Sequence, residues 1–362
     1  MTDQQPIEAG GAIHVDGAQG EGGGQVLRSS LALSMITGRP VIIERIRAGR
    51  DKPGLMRAHL TAVEAAAAIS GAAVEGAEVG SGRIAFTPGP IRAGTHAFSI
   101  GTAGSGTLVL QTILPALLVA PGPSTVTIEG GTHNPWAPTF DFLDRVYLPL
   151  VRRMGPVVTA TLQRHGFFPA GGGRFHVAVE PCGGLAGIDL LEGGAVIARR
   201  VRALVSNLPA GIGEREVRRV IGRLSWAPDC GRTDTVVAHG PGNVVEVEIE
   251  ATGLTERFTA FGRTGTSAER VADELVGEVR DHLALGAPVG CYLADQLLLP
   301  LGISAWLPAV GGRPRGGAFR TGPLSRHATT HIDVLRQFLG VRIEVAPEPD
   351  GRVCLVRVSP PL

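Results

Sequence analysis

Residues 22–76 read GGGQVLRSSLALSMITGRPVIIERIRAGRDKPGLMRAHLTAVEAAAAISGAAVEG, and residues 81–89 continue with SGRIAFTPG. The first part repeats apolar residues at helical spacing, and VII at 41–43 is β-branched and strand-like. A charged loop follows, then an alanine-rich helix closed by Gly71, then two short strands. A unit of helix, strand, loop, helix and two strands cannot bury both faces of its sheet alone.

The chain supplies two more such units. Residues 101–166 (GTAGSGTLVLQTILPALLVAPGPSTVTIEGGTHNPWAPTFDFLDRVYLPLVRRMGPVVTATLQRHG) and 173–181 (GRFHVAVEP) repeat the order, with Gly155 closing the second helix. Near the C-terminus, residues 290–303 give the first helix, 316–322 the strand, 325–340 the loop and second helix, and 341–359 the closing strands. Three copies of one α/β unit are the simplest account. Residues 184–285 break the period with strands and helices of their own and read as an inserted smaller α/β domain. The expected organisation is a disordered tail at 1–11, a main domain of 12–183 with 286–362, and the insert. In all three units the loop entering the second helix carries unusual polar residues: Arg47, Arg50, Asp51 and Lys52; then His133 and Asn134; then Arg326 and His327. Equivalent loops should gather around one surface.

Composition limits the function. With 362 residues, 44% hydrophobic but only 4% aromatic, the core is aliphatic and base stacking is not an obvious trade. A net charge of +1 provides no global field for a long nucleic acid, so any such contact is local. Lys52 is the only lysine, which leaves one candidate for a covalent lysine. Cys182, Cys230, Cys291 and Cys354 form no Cys-x-x-Cys pair, against a structural zinc or a disulfide framework and in favour of a reducing, cytoplasmic setting. No run approaches ~18 consecutive apolar residues, so no membrane partner is expected.

Four stretches could carry chemistry. In DGAQGEGGGQVLRSS, residues 16–30, glycines at a helix start would let backbone amides meet a phosphate. Glu21 among them would repel that phosphate unless it holds the accompanying metal; the bland reading is a turn carboxylate. Arg28 follows in the helix. GTAGSGTLVLQT, residues 101–112, is P-loop-like only superficially, since the phosphate-reaching lysine is missing, and Gln111 sits in an apolar run where it is either internally satisfied or functional. RIRAGRDKPGLMRAH, residues 45–59, pairs Arg47 with Arg50 across Gly49 as a phosphate clamp or as a solvated charge run. CYLADQLLLPLG, residues 291–302, places Asp295 and Gln296 in an apolar helix, where a carboxylate needs a partner or a task.

His327 and His331 in SRHATTHIDVLRQFL stand four residues apart. Such a pair can share a zinc, but the further ligands and the glutamate of His-Glu-x-x-His are missing. One catalytic histidine beside an unrelated neighbour, or two ordinary surface residues, are the alternatives.

Together, residues 16–40, 46–55, 59–63, 101–112, 164–173 (RHGFFPAGGG), 239–243 (HGPGN), 292–300 (YLADQLLLP) and 326–332 (RHATTHI) resemble the RNA 3′-terminal phosphate cyclase family, in order and across nearly the whole chain. The resemblance implies three repeats of two helices on a four-stranded sheet plus an inserted domain. It implies ATP-dependent conversion of an RNA 3′-phosphate to a 2′,3′-cyclic phosphodiester with Mg²⁺ or Mn²⁺, through a histidine-AMP intermediate on His327. By the same transfer Glu21 binds the metal, and Gln111 and the segment Tyr292, Leu293, Ala294, Asp295 and Gln296 bind ATP. Arg28, Arg47, Arg50 and His59 match residues linked with nucleotide and RNA phosphates. The expected partners are ATP and 3′-phosphorylated RNA, with room for a homodimer. Three departures stand out: His331 replaces an asparagine, Ala58 a glutamine, and His133 an aspartate. The alternatives are a non-catalytic RNA-binding ribosome-assembly homologue, which should lack His327, and an enolpyruvyl transferase of similar repeated build.

Overall fold

The computed structural model describes residues 11–309, 311–349 and 351–362; the tail expected at 1–11 lies, but for Gly11, outside them. The chain begins with β1 (Ile13–Asp16), α1 (Gly24–Thr37), β2 (Val41–Glu44), α2 (Arg57–Ser70), β3 (Ala73–Glu75) and β4 (Ile84–Thr87). These strands form one sheet in the order β1-β2-β4-β3, with β1 parallel to β2 and the other pairs antiparallel. The second unit comprises β5 (Gly94–Ser99), α3 (Gly106–Leu118), β6 (Ser124–Gly130), α4 (Phe140–Phe142), a π-helical turn (Leu143–Tyr147), α5 (Leu148–Arg153), β7 (Val157–Arg164) and β8 (Gly173–Glu180). Its sheet order, β5-β6-β8-β7, is that of the first. Gly71 and Gly155, read as helix stops, both lie at positive φ, 58° and 122°, where a side chain would be strained.

A short strand, β9 (Ile188–Leu190), then opens the third unit, and the chain leaves it at once. It builds β10 (Val196–Ser206), α6 (Gly211–Leu224), β11 (Gly231–Thr235), β12 (Gly242–Ala251), β13 (Thr255–Phe261) and α7 (Ala268–Leu285). This sheet has a different order, β11-β10-β12-β13. The third unit resumes with α8 (Cys291–Trp306), β14 (Gly317–Thr321), α9 (Arg326–Leu339), β15 (Arg342–Pro347) and β16 (Cys354–Ser359), and β14 pairs in parallel with β9. The sheet runs β9-β14-β16-β15, so all three units share one plan of strand, helix, strand, helix, strand, strand.

Two details depart from the sequence pattern. Each unit has a leading strand, and that of the third, β9, falls within residues 184–285. Periodicity missed it because three residues are too few to show alternation, and β5 because its residues are mostly open to solvent.

One continuous core runs from Ile13 to Val358 through all three units, with Phe86, Phe175 and Phe319 fully buried under the three sheets. Full burial of each ring contributes about 2–3 kcal/mol. Helix α1 packs on α2, α3 and α9, and α8 packs on α9, so the helices of different units meet in the middle. The inserted segment has a separate core of Val201, Val245, Val247 and Phe258 beneath α6 and α7. The alternation VEVEIE in β12 explains both faces. Its valines enter that core, while Glu246 and Glu248 point the other way, opposite Arg202 and Arg200 on β10.

That second face is an ion-pair network against the second unit. Arg257 of β13 is 5% exposed and donates to Glu246 and Glu248, each at 2.7 Å, while Arg145 reaches Glu248 at 3.2 Å. Asp141 accepts from His133 Nε2 at 2.8 Å and pairs with Arg202 at 3.1 Å. Burial alone would raise the Asp141 carboxyl. The His133 hydrogen bond and the nearby Arg257 and Arg202 outweigh it and hold the group well below the usual carboxylate range. Among the described residues His133, Asp141 and Glu246 are the three-residue group close enough to hold a metal, but Arg257 already sits on Glu246. The cluster is an ionic joint.

Candidate active site

The site begins with how α9 starts. Ser325 caps the helix by accepting from the Ala328 amide at 3.0 Å, and its hydroxyl donates to Asp295 Oδ1 at 2.7 Å. The second bond ties the first turn of α9 to α8. Both His327 and His331 therefore lie on the helix, one turn apart; the sequence had suggested that His327 belongs to the preceding loop. They line a cleft of about 450 Å³ whose walls come from α1, α3, α8, α9, the loop at 135–139 and the inserted sheet.

The two histidines do not face a common ligand. Gln25 of α1 stands between them: its Oε1 is 3.0 Å from His327 Nδ1, and its Nε2 is 3.2 Å from His331 Nδ1. An amide oxygen only accepts, so His327 carries its proton on Nδ1 and keeps the lone pair on Nε2. The Glu21 carboxylate, 3.5 Å from the same Nδ1, favours that tautomer too. His331 accepts from Gln25 and so is protonated on Nε2. Burial pushes the His331 pKa down to about 4, so this ring stays neutral. His327 is half exposed and also held below the ordinary imidazole value, by burial first and by Arg28 and Arg50, against an opposing pull from Asp295.

Beside Nδ1 lies a concentration of positive charge. Arg28 is one turn beyond Gln25 on α1; burial lowers its guanidinium to about 10, still cationic at neutral pH, and no carboxylate among the described residues pairs with it. His59 of α2 is pushed down to about 3, by burial and then by Arg28 and Arg47. Its Nδ1 accepts the Met56 amide at 3.2 Å, which leaves an N–H on Nε2. A side chain at Gly24 would come within 2.4 Å of that nitrogen and 2.7 Å of Arg28, so any larger residue would push these two side chains out of place. Arg50 pairs with the Glu21 carboxylate. The Glu21 amide donates to Thr330 Oγ1 at 3.0 Å, and Arg326 donates to the Gly20 carbonyl at 2.9 Å, stitching the glycine-rich loop to α9.

The remaining expected residues divide. Gln111 and Gln296 hydrogen-bond to each other across the cleft, with Asp295 and the half-exposed Tyr292 beside them. Leu293 and Ala294 are not brought to the cleft; their side chains are buried in the core. Arg47, expected to clamp phosphate with Arg50, donates to the Lys52 and Gly54 carbonyls of its own loop. His133 and Asn134, expected on the shared surface, turn inward, Asn134 donating to the Ala103 carbonyl at 2.7 Å. The cluster around His327 thus offers a neutral nucleophile and, in Arg28, a cation without a carboxylate partner, an arrangement suited to a phosphoryl group.

A sequence model described as RNA 3′-terminal phosphate cyclase matches residues 19–345. The chain belongs to that family. Proteins named RNA 3′-terminal phosphate cyclase from Ralstonia nicotianae and Salmonella typhimurium are each 49% identical to it, over 96% of this chain and 97% and 98% of theirs. One from Koribacter versatilis is 46% identical over 95% of this chain and 94% of its own.

Of the three departures from the cyclase family's pattern, only His331 enters the cleft. Ala58 packs against the main core and His133 serves the ionic joint. Sequence reasoning passed over Gln25, although it sits three residues before Arg28 and so on the same helical face. It also passed over Arg257, for which no local signal exists: a residue of the inserted domain reaches the cleft only through tertiary packing.

Proposed function

We propose that the protein converts an RNA 3′-terminal phosphate to a 2′,3′-cyclic phosphodiester at the expense of ATP, by way of AMP carried on His327. The observation that supports this most is His327 itself: neutral, with Nδ1 engaged by Gln25 and Nε2 left bearing its lone pair. Nε2 attacks the α-phosphorus and pyrophosphate leaves, giving a phosphoramidate. An oxygen of the RNA 3′-phosphate then takes the adenylyl group and frees the imidazole. The neighbouring 2′-hydroxyl attacks the activated phosphorus, gives up its proton, and AMP leaves.

In this reading Arg28, with the Nε2–H of His59 behind it, meets phosphate oxygens, and Gln111, Tyr292, Asp295 and Gln296 hold the nucleoside. Mg²⁺ or Mn²⁺ accompanying ATP asks for one or two carboxylates besides the phosphates; Glu21, beside His327, would supply one on releasing Arg50 to those phosphates. The ion's contribution would be to neutralise charge on the phosphates. A cytoplasmic setting belongs to the same proposal, supported by four unpaired cysteines; no helix among the described residues is long and apolar enough to cross a membrane.

The test is incubation with α-labelled ATP and Mg²⁺ or Mn²⁺ followed by denaturing electrophoresis, with an acid-labile label on the protein as the expected result. Conversion of a 3′-phosphorylated oligonucleotide to its cyclic form completes it. Retained RNA binding with neither reaction would instead support an assembly factor.

Two further results are expected. The labelling rate should be flat through neutral pH and decline on the acid side with a midpoint below about 6.5, because the reactive form is the neutral ring and its pKa is lowered. A midpoint above 7 would contradict the geometry. Replacing Gln25 with leucine should slow labelling about 10- to 100-fold, the range seen when a histidine bound to metal loses the partner that orients it. His331→Asn should stay within a few-fold of the parent, since an asparagine oxygen can accept the same Gln25 N–H.

A further inference from the structure

Trp136 and Phe168 form an exposed aromatic pair at the cleft. Trp136 is 80% exposed and Phe168 54%, in a chain whose aromatic content is only 4%. Their ring centroids lie 5.9 Å apart at 77°, an edge contact that leaves at least one face of each ring open. Trp136 lines the same cleft as His327 and Arg28.

The loop that presents Trp136 is built to hold still. On one side Asn134 is fastened to the Ala103 carbonyl, and the Ala137 amide donates to the Asn134 carbonyl at 3.3 Å. On the other, the Phe140 amide donates to the Thr132 carbonyl at 2.9 Å, and Thr139 caps the following helix at 3.1 Å. Pro135 and Pro138 flank the ring with fixed φ. Exposing an indole costs apolar burial, and a preorganised loop around an open ring loses little entropy when something covers it.

We propose that Trp136, supported by Phe168, is the stacking platform for the 3′-terminal base of the RNA substrate. This rests on the cyclase reading above. The cleft has a second open aromatic, Tyr292, on the same helix as Asp295 and Gln296, where the adenine of ATP is expected. Two nucleobases enter this reaction, and of the aromatic rings that line the cleft two, separately mounted, are exposed. With the RNA 3′-phosphate at His327 and Arg28, the base attached to that ribose lies at the cleft wall. Stacking would be indifferent to base identity, as suits an enzyme that acts on ends. The low overall aromatic content argued against stacking as a general binding mode; it does not bear on one ring at one site.

The experiment uses the full-length protein and an oligoribonucleotide with a 3′-phosphate. Trp136→Ala is expected to raise KM for the RNA about tenfold, in line with the loss of one base–aromatic stack. Trp136→Phe should recover most of it. The same oligonucleotide with an abasic 3′-terminal ribose should bind the parent as weakly as Trp136→Ala binds the intact one, and should not distinguish the two proteins. Indole fluorescence should fall on adding RNA to the parent and not to Trp136→Phe. Labelling by ATP without RNA is the internal reference. If it falls as far in Trp136→Ala as RNA affinity does, the ring belongs to the adenine and the proposal is overturned. An unchanged RNA KM, or a Trp136 effect that persists with the abasic end, overturns it as well, and would leave the pair as a surface for a protein partner. No label on the parent protein would instead remove the cyclase reading beneath it.

Discussion

His327→Ala should accept no label from α-labelled ATP under any divalent metal condition, and should leave RNA cyclisation at background. The change removes the only atom proposed to bond phosphorus, so the expected loss is the whole reaction. Folding should survive it. His327 is half exposed in the first turn of α9, the Ser325 cap is untouched, and alanine is a good helix former, so the stability change should stay within about 0.5 kcal/mol. An unchanged melting temperature beside absent labelling would place the loss in chemistry. The comparison with His331→Asn makes the test asymmetric. Equal loss from both would revive a metal bound between the two rings and would contradict the Gln25 bridge.

Arg257→Ala should be the most destabilising single change at the ionic joint. It strips the cation from the almost fully buried Glu246, leaves Glu248 to Arg145 and Arg200 alone, and weakens the field that keeps Asp141 ionised. Breaking a buried pair in this way costs about 3–5 kcal/mol, far more than a surface pair. Thermal or urea unfolding should show it, with the inserted domain loosening first. The pH dependence has a definite sign. In the parent, Asp141 and Glu248 have depressed pKa values, so their contribution is full above the ordinary carboxylate range and fades as pH falls through the lower, folded values. A buried carboxylate left without its cation should prefer to be protonated. The gap between variant and parent should then narrow on acidification; a gap that widens would contradict the network. Because Arg257 also lines the cleft, KM for ATP should rise.

The repeat in the sequence carried most of the architecture, because two periodicities and the glycine stops recur in all three units. What it lacked were β5 and β9, one solvent-facing and one only three residues long. At the site, Glu21, Arg28 and Gln111 stand in glycine-rich or apolar settings that single them out, whereas His327 rises above an ordinary histidine only through the resemblance to the cyclase family. Gln25 is singled out by neither: its role depends on which side chains of α9 face it, some 300 residues away. For Arg47 and His133 the loop sequence does not show the partners the fold supplies. Both sit in suggestive loops, yet local carbonyls and Asp141 already engage them.

The placement of the inserted segment bears on the order in which the chain can assemble. The first sheet joins Ile13 to Val41, but the third joins Ile188 to Gly317, a far longer chain to close. Closing that loop from an unfolded chain costs about 1.4 kcal/mol more, since the entropy grows as the logarithm of length. A folded insert, its two ends brought back together, removes most of that excess. The splice between β9 and α8 therefore makes the last unit a dependent of the insert: the histidine-bearing helix finds its sheet most readily once the intervening domain has formed.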